Sequence, residues 1–158
     1  MTDTTHSNLP VVEQLIAALG ADVVTVADAI GERRLADWSG VPAGKPAALV
    51  RPLDTAELSQ IMAICHAAGQ PVVVQGGLTG LAGGASPRDG EVVISLERMK
   101  AIEEIDPVSA TMTVQAGCIL QTLQEAAIEA GYYFPLDLGA RGSCTIGGVL
   151  ATNAGGNR

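Results

Sequence analysis

Aromatic residues are scarce in this chain. Its 158 residues include one Trp, one Phe and two Tyr, 3% in all. The core must therefore be built from Val, Ile, Leu and Ala, and such small side chains suit helices packed closely on a sheet. Basic residues are also few, with nine Lys and Arg against seventeen Asp and Glu and a net charge of −8. That balance argues against nucleic acid and against an anionic membrane surface as partners. An anionic ligand would have to be held locally, by backbone N–H groups and at most one Arg. Cys65, Cys118 and Cys144 form neither an even-numbered disulfide framework nor a Cys-x-x-Cys pair. Reduced thiols in a cytoplasmic setting are the expectation. No apolar run approaches the length of a membrane-spanning helix. The N-terminal MTDTTHSNLP lacks the basic and apolar regions of a signal peptide. The two histidines, His6 and His66, have no partner in a ligand pattern, so no metal site is expected.

Glycine, in contrast, is abundant, at nineteen residues, and it is concentrated in two stretches. The first is PVVVQGGLTGLAGGA, residues 71 to 85. Val72, Val73 and Val74 are consecutive and β-branched, which suits a strand buried on both faces. The glycines that follow can take φ > 0 and let another group approach the backbone. A bend of this kind can gather successive N–H groups into an anion-binding hollow. Gln75 adds an amide and Thr79 a hydroxyl, so a phosphate-bearing cofactor is the natural guest. Two familiar phosphate motifs fail here. A P-loop needs Lys followed by Ser or Thr after the glycines, but no Lys lies between Lys45 and Lys100. A dinucleotide fingerprint needs Gly-x-Gly-x-x-Gly leading into a helix. Here Gly77, Gly80 and Gly83 are three apart and the turn cluster Ser86–Gly90 follows. A glycine-rich surface loop that binds nothing is the alternative.

The length fits one domain with a real core. Residues 1 to 9 are polar and expected to fray. Pro10 opens a helix with Val11, Val12, Leu15, Ile16 and Leu19 on one face, closed by Gly20. Val23 to Val26 reads as a short strand or an extended link, and Trp38 as a packing anchor. Ala47 to Arg51 is a strand. Asp54 and Glu57 have capping-box spacing ahead of a helix carrying Leu58, Ile61, Met62 and Cys65 and ending at Gly69. Strand, helix and the Val72 strand make a βαβ unit with parallel pairing. His66 falls on the solvent side of that helix. Glu91 to Leu96 is another strand. Ile102 to Asp106 and Thr111 to Gln115 read as a hairpin around Pro107–Ala110, with one wet face. Gly117 then leads into a helix that ends at Gly131. The fold class is α+β.

The second glycine-rich stretch is FPLDLGARGSCTIGGVLATNAGGNR, residues 134 to 158. Ile146 to Ala151 fits a short helix capped by Ser143 or Thr145, which would present free N–H groups to a phosphate. Gly147, Gly148 and Ala151 would form a bare face, useful either for a ligand's close approach or for tight packing. Arg141 is the charged group here, placed to face a phosphate or a substrate carboxylate, or else simply solvated.

The segments PVVVQGGLTGLAGGA, VQAGCILQTLQEAA and PLDLGARGSCTIGGVLATNAGG together resemble the N-terminal FAD-binding portion of the vanillyl-alcohol-oxidase-type (PCMH-type) FAD-linked oxidases. Within that family they are most similar to the D-2-hydroxyglutarate and D-lactate dehydrogenase branch. The likeness runs from about Asp37 to the end. It implies a PCMH-type FAD-binding fold, with residues 1–35 an N-terminal helical segment and 36–158 the first part of an FAD-binding domain. It implies a pyrophosphate cradle at Gln75, Gly76, Gly77, Leu78, Thr79, Gly80 and Leu81. A lining along the pyrophosphate and towards the flavin is implied at Pro135, Leu138, Gly139, Ser143, Cys144, Ile146, Gly147, Gly148 and Asn153. Covalent relatives carry a His in the first loop. Leu78 and Thr79 stand there instead, so noncovalent FAD is implied. The implied reaction oxidises a D-2-hydroxy acid to the 2-oxo acid by hydride transfer to flavin N5, with an electron acceptor completing the cycle. The family's base, carboxylate-binding Arg and metal-binding His lie further along its chains. The expectation is therefore a cofactor-cradling fragment without catalytic residues. Self-association is left open. Two other readings are a noncatalytic FAD subunit of a glycolate-oxidase-like complex and, ranked last, an NADPH-dependent cell-wall precursor reductase.

Overall fold

The structure is a computed structural model that describes residues 10–156. The polar residues 1 to 9, expected to fray, lie outside the described residues. Helix α1 (Val11–Leu19) presents the stripe read from the sequence, and Gly20 closes it at φ 88°. Strand β1 (Val24–Val26) runs antiparallel to β2 (Ala48–Val50). Helix α2 (Thr55–Ala67) begins at Asp54, whose carboxylate accepts from Glu57 N at 2.9 Å. The Glu57 carboxylate reaches back one residue beyond the cap, accepting from Leu53 N at 2.7 Å. Strands β3 (Val72–Gln75) and β4 (Val92–Ser95) complete a sheet of order β1-β2-β4-β3.

Two expectations are corrected by that order. The strands flanking α2 are parallel but not adjacent, because β4 inserts between β2 and β3 and pairs in parallel with both. The run buried on both faces is consequently β4. Val92, Val93 and Ile94 are fully buried, whereas β3 sits at the edge with Val74 48% exposed. Composition cannot separate the two, since both are β-branched triplets; position in the sheet decides.

One face of the sheet, carrying Val50, Val92 and Ile94, packs on Leu15 of α1 and on Ile61 and Cys65 of α2. Leu15, Val23 and Val24, which precede residue 36, thus share this core with the residues that follow it. On α2, Met62 is 42% exposed while Ile64 packs on the core in its place. The opposite face carries Leu49, Val73 and Val93 and is covered by Ile30. His66 is solvent-exposed, as expected.

The second unit is the hairpin of β5 (Ile102–Asp106) and β6 (Thr111–Val114), with a register shift at Ile102/Glu104. Thr111 and Thr113 face solvent, while Met112 and Val114 pack on Leu123 of α3 (Leu120–Glu129) and on Ile146 of α4 (Ile146–Ala151). Gly117 joins the two units. Its N–H donates to Met99 O at 2.8 Å, and a Cβ there would fall under 3.0 Å from the Leu96 carbonyl.

Candidate cofactor site

Loop one leaves the carboxyl end of β3, the end of a parallel strand at which α/β sheets hold ligands. Gln75 anchors its base. The side chain is 1% exposed, and its amide donates to Leu35 O at 2.7 Å and to Ala85 O at 2.8 Å, tying the two ends of the loop to a neighbouring segment. Gln75 Oε1 is buried without a partner among the described residues. Beyond it, Leu78 takes φ 54°, the left-handed region that a branched residue enters only when its surroundings hold it there.

Loop two meets loop one directly. A Cβ on Gly76 would fall under 3.0 Å from Thr145 Oγ1, and one on Gly77 under 3.0 Å from the Ser143 carbonyl. The tertiary structure therefore brings together two glycine-rich stretches about seventy residues apart in sequence. Cys144, Thr145 and Ile146 are buried beneath this seam, and Ser143 and Gly139 remain exposed. A Cβ on Gly139 would meet nothing within 4 Å, so open space borders it. Pro135 and Asn153 are exposed, Leu138 is half-buried, and Asn153 takes φ 49°.

The short helix is capped by Thr145, which accepts from Gly148 N at 3.4 Å. Its N–H groups are not free, as the sequence suggested they would be. Ile146 N donates to Cys118 O and Gly147 N to Ala116 O, both at 2.9 Å. Gly147 serves tight packing, since a Cβ there would come within 2.8 Å of Ala116. The donors available to an anion lie in loop one instead. The N–H groups of Gly77, Leu78, Thr79, Gly80, Leu81 and Ala82 have no acceptor among the described residues, nor has the Thr79 hydroxyl a partner. Six successive unpaired donors on a bent backbone, beginning where Gly77 packs on the Ser143 carbonyl, fit a pyrophosphate. The residues present thus fit a dinucleotide cofactor.

Charge around the loops is sparse. Arg141 is mostly exposed and pairs with Asp137 at 3.5 Å. Trp38 is not the buried anchor expected of it. It is 65% exposed, with the Arg34 guanidinium 4.4 Å from its ring centre. Its neighbour Asp37 is buried instead and was missed in the sequence, where a lone acid in a mixed stretch carries no signal. Hydrogen bonds from Ser39, its side chain and then its backbone, hold the Asp37 carboxyl below the ordinary aspartate range. The thiols of Cys65, Cys118 and Cys144 are pushed up by burial, which disfavours the reactive thiolate. An apolar groove of about 680 Å³ lies beyond α4, lined by Met112, Val114, Leu123, Tyr132, Phe134 and Leu150. It has no charged lining and includes no loop-one residue, so it does not suit a pyrophosphate. Among the described residues there is no cluster that could hold a metal.

Glu97 and Asp106 are lowered like Asp37, chiefly by hydrogen bonds from Arg33 and from the Ser109 hydroxyl respectively. A carboxylate with a lowered folded value binds fewer protons folded than unfolded at intermediate pH, so stability rises with pH across that window. The contribution is complete above the ordinary values of 3.8 and 4.5 and is lost as pH falls below them. The urea midpoint of the chain is expected to hold from pH 7 to about pH 5 and then to drop. A midpoint unchanged down to pH 3 would refute the assignment.

Comparison with known proteins agrees with this geometry. Residues 46–158 match a protein family described as an FAD binding domain. A probable D-2-hydroxyglutarate dehydrogenase, mitochondrial, of Oryza sativa subsp. indica is 47% identical over 122 residues, 77% of this chain and 22% of that protein. The mitochondrial D-2-hydroxyglutarate dehydrogenase of Bos taurus is 43% identical over the same shares. A putative mitochondrial D-lactate dehydrogenase of Schizosaccharomyces pombe is 43% identical over 77% of this chain and 23% of its own. The chain thus spans about a fifth of the length of these relatives. Among solved structures, an alkyldihydroxyacetonephosphate synthase superposes with TM-score 0.82 at 21% identity, covering 92% of this chain and 29% of that one. A p-cresol methylhydroxylase gives 0.68 at 21% identity, covering 90% and 28%. The α+β, PCMH-type FAD-binding fold read from the sequence is borne out. The cytoplasmic setting is overturned, because the Oryza and Bos relatives are mitochondrial proteins by name.

Proposed function

Because the chain belongs to the FAD binding domain family, we infer that it is the pyrophosphate-cradling part of a flavin-dependent dehydrogenase that oxidises a D-2-hydroxy acid to the 2-oxo acid. The observation that carries this reading is the row of unpaired N–H groups from Gly77 to Ala82, in a loop whose Gly76 and Gly77 pack on Thr145 and Ser143 of the second loop. In this reading residues 76–81 hold the FAD diphosphate, and Gln75, expected among them, anchors their base because its amide is engaged by Leu35 O and Ala85 O. Pro135, Leu138, Gly139, Ser143, Cys144, Ile146, Gly147, Gly148 and Asn153 border the path towards the flavin. Of these, Ile146 and Gly147 act through packing, because their N–H groups are already engaged. Bound FAD supplies a hydride acceptor, and this chain's residues supply orientation and exclusion of water. Noncovalent attachment is the reading favoured by Leu78 and Thr79 in loop one and by the burial of Cys144, which is 5% exposed. The substrate class rests on the relatives named for 2-hydroxyglutarate and lactate.

The test begins with titration of FAD into the 158-residue chain, followed by flavin fluorescence. Saturable quenching, with anaerobic bleaching of the flavin by D-2-hydroxyglutarate or D-lactate in the whole protein, is the expected result. Bound flavin that neither acid bleaches would reject the dehydrogenase reading and favour a noncatalytic FAD subunit. Absence of flavin from both chains would reject the site itself.

A further inference from the structure

Loop one does not hold its own shape. Within residues 76–86 there is one internal hydrogen bond among the described residues, Ser86 N to Gly83 O at 3.2 Å. Apart from the Gln75 amide on Ala85 O, every other tie runs to the segment from Arg33 to Val41, which lies across the loop like a strap. Its start is fixed to the turn just after β4 by the Arg33–Glu97 ion pair, with Arg51 also 3.7 Å from Glu97. Leu35 O then receives the Gln75 amide. Trp38 N donates to Gly80 O at 2.8 Å. Ser86 Oγ accepts from Asp37 N at 3.4 Å and donates to Val41 O at 3.3 Å. At the centre lies the Asp37 carboxylate, 6% exposed as a residue. One oxygen accepts from Ser39 N and the other from Gly83 N, each at 3.0 Å. The second oxygen is also 3.3 Å from where a Cβ on Gly80 would lie, so the carboxylate is packed directly beneath the loop.

The placement carries a conflict that points to its purpose. A buried negative charge beneath an anion-binding loop repels the anion it is built to receive. On electrostatics alone the position should be neutral or basic. Its two oxygens, however, take up the donors on either side of the loop, Ser39 N on the strap and Gly83 N on the loop. A carboxylate accepting such charge-assisted bonds fixes both partners more firmly than a neutral group would. Bending a glycine-rich loop into one shape otherwise costs backbone entropy at every residue fixed. That cost is met here before the ligand arrives.

We propose that Asp37 is a positioning residue of the cofactor site. It locks loop one, through Gly83 and the strap at Trp38 and Ser39, into the conformation that presents residues 77–82 to a diphosphate. The idea rests on the FAD reading for the ligand, but not for the locking itself. Two effects with opposite signs separate positioning from charge. Removing the charge should tighten a diphosphate if repulsion dominates, and weaken it if loop order dominates.

The experiment uses the 158-residue chain with Asp37→Asn, which keeps size and removes charge, and Asp37→Glu, which keeps charge and displaces the carboxylate. Amide exchange is read by NMR at Trp38 and Ser86, whose acceptors are Gly80 O and Gly83 O and not Asp37 itself. Val93 and Ile94 in β4 report the core. Both variants are expected to exchange at least tenfold faster at Trp38 and Ser86 while β4 is unchanged. Both are also expected to bind FAD at least tenfold more weakly. Unchanged exchange at Trp38 and Ser86 would overturn the locking. Faster exchange with equal or tighter FAD binding in Asp37→Asn would overturn its role in the site. If the wild-type chain takes up no FAD, the binding arm moves to the whole protein. Failure there too would count against the FAD reading alone, with the exchange arm still deciding the lock.

Discussion

Replacing Gly77 by Ala is expected to part the two glycine-rich loops and remove FAD binding. The added Cβ would fall under 3.0 Å from Ser143 O and C, and these are backbone atoms, so no side chain can swing aside to admit it. The Ser143 carbonyl cannot retreat easily, because Ser143 N and Cys144 N both bond to Ala140 O at 2.8 Å and Leu120 N bonds to Cys144 O at 3.0 Å. Relief must come from loop one, which would lift from Thr145. Gly77 carries no positive φ, so the effect is steric and not a matter of backbone strain. Overpacking of this kind costs about 1–3 kcal/mol. Because the displaced element is the cradle itself, FAD affinity should fall by more than the loss in stability would suggest, about a hundredfold or beyond on a factor of ten per 1.4 kcal/mol. Flavin fluorescence titration measures the affinity and urea unfolding the stability. Wild-type affinity in Gly77→Ala would mean that the seam is not part of the site.

The larger stability loss is expected at Gly117→Ala. A Cβ there would lie under 3.0 Å from the Leu96 carbonyl carbon and oxygen and from Met99 O. The same residue's N–H is bonded to Met99 O, and Leu96 N is bonded to Gln75 O, so the crossing is pinned from both sides. Moving it separates the hairpin unit from the end of β4 and disturbs Met99, which is 3% exposed. A cost of about 3 kcal/mol or more is expected. At this chain length that corresponds to a thermal midpoint lowered by about 6–12 °C. Gly155→Ala is the control, since its Cβ would meet nothing within 4 Å and its φ is unremarkable. A drop below about 1 kcal/mol at Gly117, or an equal drop at Gly155, would show that the crossing is more compliant than its geometry implies.

The sequence by itself determined the local elements and the chemistry of the ligand. Helix α1 was legible because five apolar residues recur at helical spacing between Pro10 and Gly20. Helix α2 was legible from the Asp54–Glu57 spacing, and the hairpin from two alternating runs around Pro107. These signals are contained within a dozen residues, where periodicity and turn chemistry act. The glycine-rich loops, and the absence of a dinucleotide fingerprint or P-loop, narrowed the guest to a phosphate-bearing cofactor held by backbone. Family resemblance then supplied FAD.

Only the tertiary structure decided what depends on neighbours far apart in the chain. β4 took the central place and β3 the edge, although both are runs of β-branched residues, because β4 pairs in parallel with both β2 and β3, a long-range pairing that composition does not encode. Gly147 became a packing residue because Ala116 lies against it. The N–H groups of α4 were consumed by Cys118 O and Ala116 O, carbonyls that adjoin them only once the hairpin unit has folded. Asp37 shows the limit most clearly. In sequence it is one acid among seventeen acidic residues. In the fold it is buried against Gly83 and Ser39, forty-six residues from the first and two from the second. Hydrogen bonding between distant segments has no periodic trace, so the residue that holds the cradle in shape becomes visible only when the strap is laid across the loop.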